Sequence, residues 1–155
     1  MKAITLWQPW ASFVAWGWKT IETRGHRMFA SLVGERIAIH AGKKWDERAV
    51  LVAEPYLTFV QRQLVNIMMG QYQRGNQPRG CIVATAHVCG CRPMGPDDAR
   101  AALCPSGPGR IAYRLKNVRA LATPIPCIGL QGMWNVPQSI ENQIRLQRGD
   151  DGTRP

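Results

Sequence analysis

Acidic residues are scarce in this chain. Ten Asp and Glu stand against twenty Lys and Arg in 155 residues, leaving a net charge of +10 and an isoelectric point near 10.1. Such an excess disfavours cationic partners and draws the protein toward polyanions, nucleic acids foremost. Long apolar runs are missing too. Gln8 and Pro9 interrupt the apolar N-terminus well short of the about 20 residues that span a bilayer, and no charged start of an export signal precedes it. The five cysteines are an odd number with no disulfide framework, which suits a reducing compartment. The expectation is a cytoplasmic protein with no membrane partner. There is no phosphate-binding glycine loop, no dinucleotide fingerprint and no Ser–His–Asp pattern, so no cofactor is expected. Neither an internal repeat nor a linker divides the chain.

What is present is a globular composition, 45% hydrophobic, punctuated by 15 Gly and 11 Pro. That punctuation favours many short elements and a β-rich or α+β fold. Arg outnumbers Lys, and its planar fork suits phosphate oxygens and stacks on bases. Six Trp in so short a chain supply further stacking surface.

Pattern and punctuation place the elements. Lys2 to Leu6 reads as a strand, and Pro9 opens a helix that ends near Trp16, with Gly17 as its cap. Thr20 to Arg24 and Arg36 to His40 alternate as strands do. Leu57, Val60, Leu64, Ile67 and Met68 recur at helical spacing between Pro55 and Met69, with Gly70 as the stop. A polar loop fills 71–80. Cys81 to Cys91 is a long apolar strand, and a Gly/Pro-rich stretch from Pro93 to Gly109 has room for one helical turn at Asp97 to Leu103. Arg110 to Lys116 alternates, with Ile111, Tyr113 and Leu115 on one face. A further strand lies within Val118 to Cys127, broken by Pro124 and Pro126. Pro137 to Gln147 is a terminal helix, leaving 1–147 as one domain and 148–155 as a disordered tail.

Three local patterns carry a resemblance. Leu6-Trp7-Gln8-Pro9-Trp10-Ala11-Ser12 opens the first helix, Gly17-Trp18-Lys19-Thr20-Ile21-Glu22-Thr23-Arg24 follows it, and Ile39-His40-Ala41-Gly42-Lys43-Lys44 ends the next strand. Together they resemble the ASCH family, whose signature Gly-x-Lys-x-x-Glu-x-Arg is filled by Gly17, Lys19, Glu22 and Arg24. Gly80 to Ala84 is similar to the family's central strand, and Gly129-Leu130-Gln131-Gly132-Met133-Trp134 to its closing segment. The resemblance covers most of residues 1–136. It implies an α+β, β-rich, PUA-like mixed β-barrel of about six strands, with a cleft between barrel and first helix that holds RNA, single-stranded nucleic acid or a modified nucleoside. Some relatives hydrolyse N4-acylated cytidine, and ribonuclease activity has been proposed for others.

On this reading the ligand-binding residues are Gln8, Trp10, Lys19, Glu22, Arg24, His40, Lys43, Lys44, Arg114, Lys116, Gln131 and Trp134. Lys19 offers an ammonium to a phosphate or carbonyl oxygen, and Glu22 and Arg24 share a strand face. The same spacing also suits a buried ion network that ties the helix to the strand. Lys43 and Lys44 suit phosphate, His40 a cleft rim, and Trp10 and Trp134 a stacking wall. Trp16 is expected to be structural. Arg110, Arg114 and Lys116 would extend the basic surface. Lys19 and Glu22 become catalytic residues if the protein is an enzyme. The amidohydrolase relatives carry a Thr nucleophile three positions after the signature Lys, where this chain has Glu22; Thr20 and Thr23 are close but do not match. His87, Cys89 and Cys91 share a strand face without a Cys-x-x-Cys knuckle, so no metal site is assigned and small buried thiols are expected.

Overall fold

The structure, a computed structural model, describes residues 1–149. Six strands form one sheet: β1 (Lys2–Gln8), β2 (Ile21–Arg24), β3 (Arg36–Trp45), β4 (Cys81–Pro93), β5 (Ile111–Pro126) and β6 (Met133–Asn135). Their order is β2-β5-β4-β3-β1-β6. The β1–β3 pair is parallel and the other pairs are antiparallel, so the sheet is mixed. Its hydrogen-bond ladder is open, with β2 and β6 as its ends, and not a closed ring.

Helix α1 (Trp10–Ala15) follows β1, and Gly17, at φ 73°, turns the chain out of it. That conformation costs glycine little. α2 (Ala49–Ala53) and α3 (Phe59–Gln73) lie between β3 and β4, α4 (Ala99–Ala102) between β4 and β5, and α5 (Gln138–Arg148) ends the described chain. Gly149, at φ 69°, follows α5. Of the expected tail at 148–155, residues 150–155 lie outside the described residues, and Arg148 is helical.

One face of the sheet buries Ile4, Ile37, Ile39, Val88, Tyr113 and Leu115 together with Val14 of α1. The opposite face packs Ala38, Ile82 and Ile125 against Trp134 and Ile144 of α5. Each such large apolar side chain contributes about 1.5–3 kcal/mol on burial.

The elements depart from the sequence expectation in several places: α2 has no counterpart there, and β3 runs on past His40 to Trp45. Arg110–Lys116 and Val118–Cys127 are one strand, β5, because Asn117, at φ 49°, and several register shifts against β4 absorb the break within a continuous ladder. β6 is a strand that sequence pattern missed; three residues are too few to show a period. α3 starts and ends four residues later than expected, running through Gly70, and it is rotated. Leu57, Val65 and Met68 are buried against Phe13 and Leu103, whereas Val60, Leu64 and Ile67 face outward. Its start is set by a capping box between Thr58 and Gln61, which pairs the first free amides.

Candidate functional site

A groove runs along the gap where β2 and β1 face each other without pairing. It is made of two adjoining hollows, an inner one of about 480 Å³ and an outer one of about 1080 Å³. Thr5, Trp7 and Arg24 line both.

The inner hollow is built on the α1–β2 junction. The Lys19 amide donates to the Phe13 carbonyl, which brings the side chain under the hollow. Lys19 is only 3% exposed. Its Nζ donates to the Ala102 carbonyl (2.7 Å), lies 3.6 Å from Glu22 Oε2, and sits 5.2 Å from the Trp10 ring centre. Glu22, 6% exposed, also faces Arg24, whose Nε is 3.1 Å from its Oε1. That approach is an ion pair lacking hydrogen-bond geometry. Behind Glu22 lies an apolar hollow walled by Ile4, Phe29, Val88 and Tyr113. Burial pulls the Lys19 pKa below 10.5, against the opposing pull of Glu22. Desolvation therefore outweighs pairing at this ammonium.

Residues outside the twelve ligand-binding positions named from sequence complete the inner hollow, and Arg110, expected to extend the basic surface with Arg114 and Lys116, lines it instead. Asp46 accepts from Trp10 Nε1 (2.8 Å) and from the Arg48 amide (3.1 Å), which fixes the indole against the wall. Arg110 donates to Thr23 Oγ1, and its Nε is buried without a partner. Cys104 Sγ lies 3.8 Å from the same hydroxyl. Sequence spacing could not bring Asp46, Cys104 and Arg110 to Lys19, because they come from two connections, β3–α2 and α4–β5, far from it in the chain. Trp7, outside the sequence-based set, is 50% exposed and borders both hollows.

The outer hollow owes its charge to a register shift. β1 pairs Leu6 with Ala41 and then Gln8 with Trp45. Gly42, Lys43 and Lys44 thus bulge opposite the single residue Trp7, and both ammonium groups are thrown to the groove. Gly42 packs closely there: a Cβ would meet Thr5 Cγ2 at 3.3 Å. Lys44 Nζ lies 5.3 Å from the Trp7 ring centre.

The segment 127–132 walls the far side. His40 Nε2 donates to the Cys127 carbonyl (3.0 Å), which leaves Nδ1 as a buried, unpaired acceptor. Burial holds the His40 pKa below 6.5, outweighing the Cys127 hydrogen bond that favours the proton. The imidazole lies flush on Gly129, where a Cβ would come within 2.2 Å of it. Thr5 Oγ1 donates to the Leu130 carbonyl (2.7 Å) and accepts from Trp134 Nε1 (3.1 Å).

The groove therefore gathers Trp10, Lys19, Glu22, Arg24, His40, Lys43, Lys44 and Gln131. Four other residues of the sequence-based set line neither hollow. Gln8 is fully buried, accepting from Ser12 and donating to the Pro78 carbonyl. Trp134 is buried behind His40, edge-on at 5.7 Å. Arg114 and Lys116 are exposed on β5, on the face opposite Tyr113 and Leu115. His87 is paired with the Gly34 carbonyl and Cys89 with that of Arg114. Among the described residues no group of three or more His, Cys, Asp or Glu is placed to hold a metal ion, and no helix is long and apolar enough to cross a membrane.

No family model and no curated protein sequence matches the chain. Solved structures do. The ASCH protein from Zymomonas mobilis superposes with a TM-score of 0.55 at 13% identity, over 92% of each chain. A serine-to-alanine variant of it gives 0.56 at 14%, again over 92% of each chain. A tyrosine-to-phenylalanine variant gives 0.55 at 13%, over 92% of this chain and 94% of that one. At such identity the likeness is one of fold: this chain has the α+β, PUA-like fold of ASCH domain structures.

Proposed function

We propose that the chain is a nucleic-acid or nucleotide-binding protein that holds its ligand in this groove. One observation carries the reading: two joined hollows that bring together indoles, from Trp7 and Trp10, and cations, from Arg24, Lys43, Lys44 and Arg110. Stacking surfaces combined with a cationic track are what single-stranded nucleic acids require of a binding site. The net charge of +10 adds long-range attraction. The test is a panel of single-stranded RNA, single-stranded DNA, nucleosides and N4-acylated cytidine, with both binding and product release measured. No measurable binding of any of them would remove the reading.

A hydrolase of the same groove is the second reading, favoured by the Lys19–Glu22 pair. A buried lysine with a lowered pKa, 3.6 Å from a carboxylate, is suited to handling protons in water attack on an amide. A metal-independent ribonuclease would instead place charge stabilisation on Lys19 and acid–base work on His40. If turnover occurs at Lys19 and Glu22, Glu22→Gln abolishes product release while the folded protein keeps its affinity. An equally active variant excludes that carboxylate.

A further inference from the structure

The two hollows differ in the mix and pairing of their charges. The inner hollow is mixed: its carboxylates, Glu22 and Asp46, sit among Lys19, Arg24, Arg48 and Arg110. Both carboxylates are already engaged within the protein. Glu22 faces Lys19 and Arg24, and Asp46 accepts from Trp10 and the Arg48 amide. A phosphate placed there would meet the Glu22 and Asp46 carboxylates. An uncharged base edge, which offers donors and acceptors side by side, meets a matching set and an indole wall. The outer hollow is different. Its charged side chains among the described residues are Arg24, Lys43 and Lys44, with no Asp or Glu, and His40 is neutral near pH 7. Such a set of charges suits phosphate oxygens.

Size agrees with charge. Sites for single small ligands run from about 300 to 1,000 Å³. The inner hollow, at about 480 Å³, takes one unit and is floored by the buried Lys19 and Glu22. The outer one, at about 1080 Å³, is large enough for more. Arg24 stands at the boundary, 31% exposed on its side chain.

We propose that the hollows are subsites of unlike chemistry: the inner one takes a single uncharged nucleobase and the outer one the phosphodiester run attached to it. The ligand class that follows is a phosphate-bearing single strand that enters base first, with Arg24 beside the first phosphate, and not a free nucleoside. This rests on the reading of the groove as a nucleotide site.

The experiment measures binding of the four ribonucleosides and the four homopolymeric RNA hexanucleotides to the full chain across a salt series. At least one hexanucleotide should bind about tenfold or more tighter than its nucleoside. With two phosphates contacted, its log–log salt slope should be about −1.4, while the nucleoside slope stays near zero. Lys43→Gln with Lys44→Gln should bring hexanucleotide affinity down toward that of the nucleoside and flatten the slope, leaving nucleoside affinity within about twofold. Trp10→Leu should weaken both probes by a similar factor, since both place a base in the inner hollow. A nucleoside bound as tightly as its hexanucleotide, or a slope unmoved in the double lysine variant, overturns the division into subsites while leaving the groove as a ligand site. Failure of every probe to bind the unaltered protein takes the groove reading down as well.

Discussion

At the scale of single residues, the site is a set of buried charges held by few partners. Lys19 and Glu22 are both more than nine-tenths buried, and removing one partner of such a pair leaves the other uncompensated. Glu22→Gln is therefore expected to cost about 3 kcal/mol at neutral pH. Its pH dependence has a definite sign. The folded-state pKa of Lys19 already lies below 10.5, and loss of Glu22 lowers it further. Between that folded value and 10.5 the unfolded chain binds more protons than the folded one, so stability rises with pH. Denaturant melts of the variant at neutral and alkaline pH check this; a deficit that does not shrink on the alkaline side contradicts it. His40 obeys the same rule at lower pH. Its pKa is depressed from 6.5 in the fold, so its contribution is full above 6.5 and drains away as the pH falls toward the folded value. Gly129→Ala drives a methyl into that imidazole and should destabilise by about 1–3 kcal/mol through overpacking. Adding His40→Ala should restore most of the loss, and a double variant no better than Gly129→Ala would show that the ring is not the obstacle.

At the scale of elements, the useful irregularities are those that interrupt a period. The register shift between β1 and β3 converts Gly42-Lys43-Lys44 from strand continuation into the cationic wall of the outer hollow. β5 continues past Asn117 only because one residue takes a left-handed conformation, which Asn tolerates better than most. α3 is separate from this machinery: neither hollow includes a residue from it. Thr58→Ala removes the capping box at its start and should cost about 1 kcal/mol of stability. Ligand affinity should not change, and a loss of binding at constant folded fraction would tie α3 to the groove.

At the scale of the whole molecule, the groove is a matter of where the sheet fails to close. β2 and β1 are four strands apart in the ladder, yet they line the same hollow, so the sheet curls and leaves its gap as the groove. The net charge is spread over more than this gap. Arg114 and Lys116 lie outside both hollows, and replacing both with Gln should leave the affinity for a short oligonucleotide within about twofold, since only the general field weakens. A tenfold loss would move the binding surface onto β5.

The sequence by itself determined the signature positions Gly17, Lys19, Glu22 and Arg24, the strand–helix–strand order that carries them, and the basic character of the surface. These are local quantities: periods, caps and charge excess act over a few residues or over none in particular. It also marked Trp10, His40, Lys43, Lys44 and Gln131, which the fold brings to one groove. Tertiary structure alone decided that Trp7 faces the groove while Trp134 is buried, that Gln8 is spent on Ser12 and Pro78, and that Asp46, Cys104 and Arg110 gather around Lys19. It also decided that α3 turns its Val65–Met68 side inward. Those outcomes depend on which surfaces pack together and on long-range pairings, and no period within a strand or helix encodes the partner across the gap.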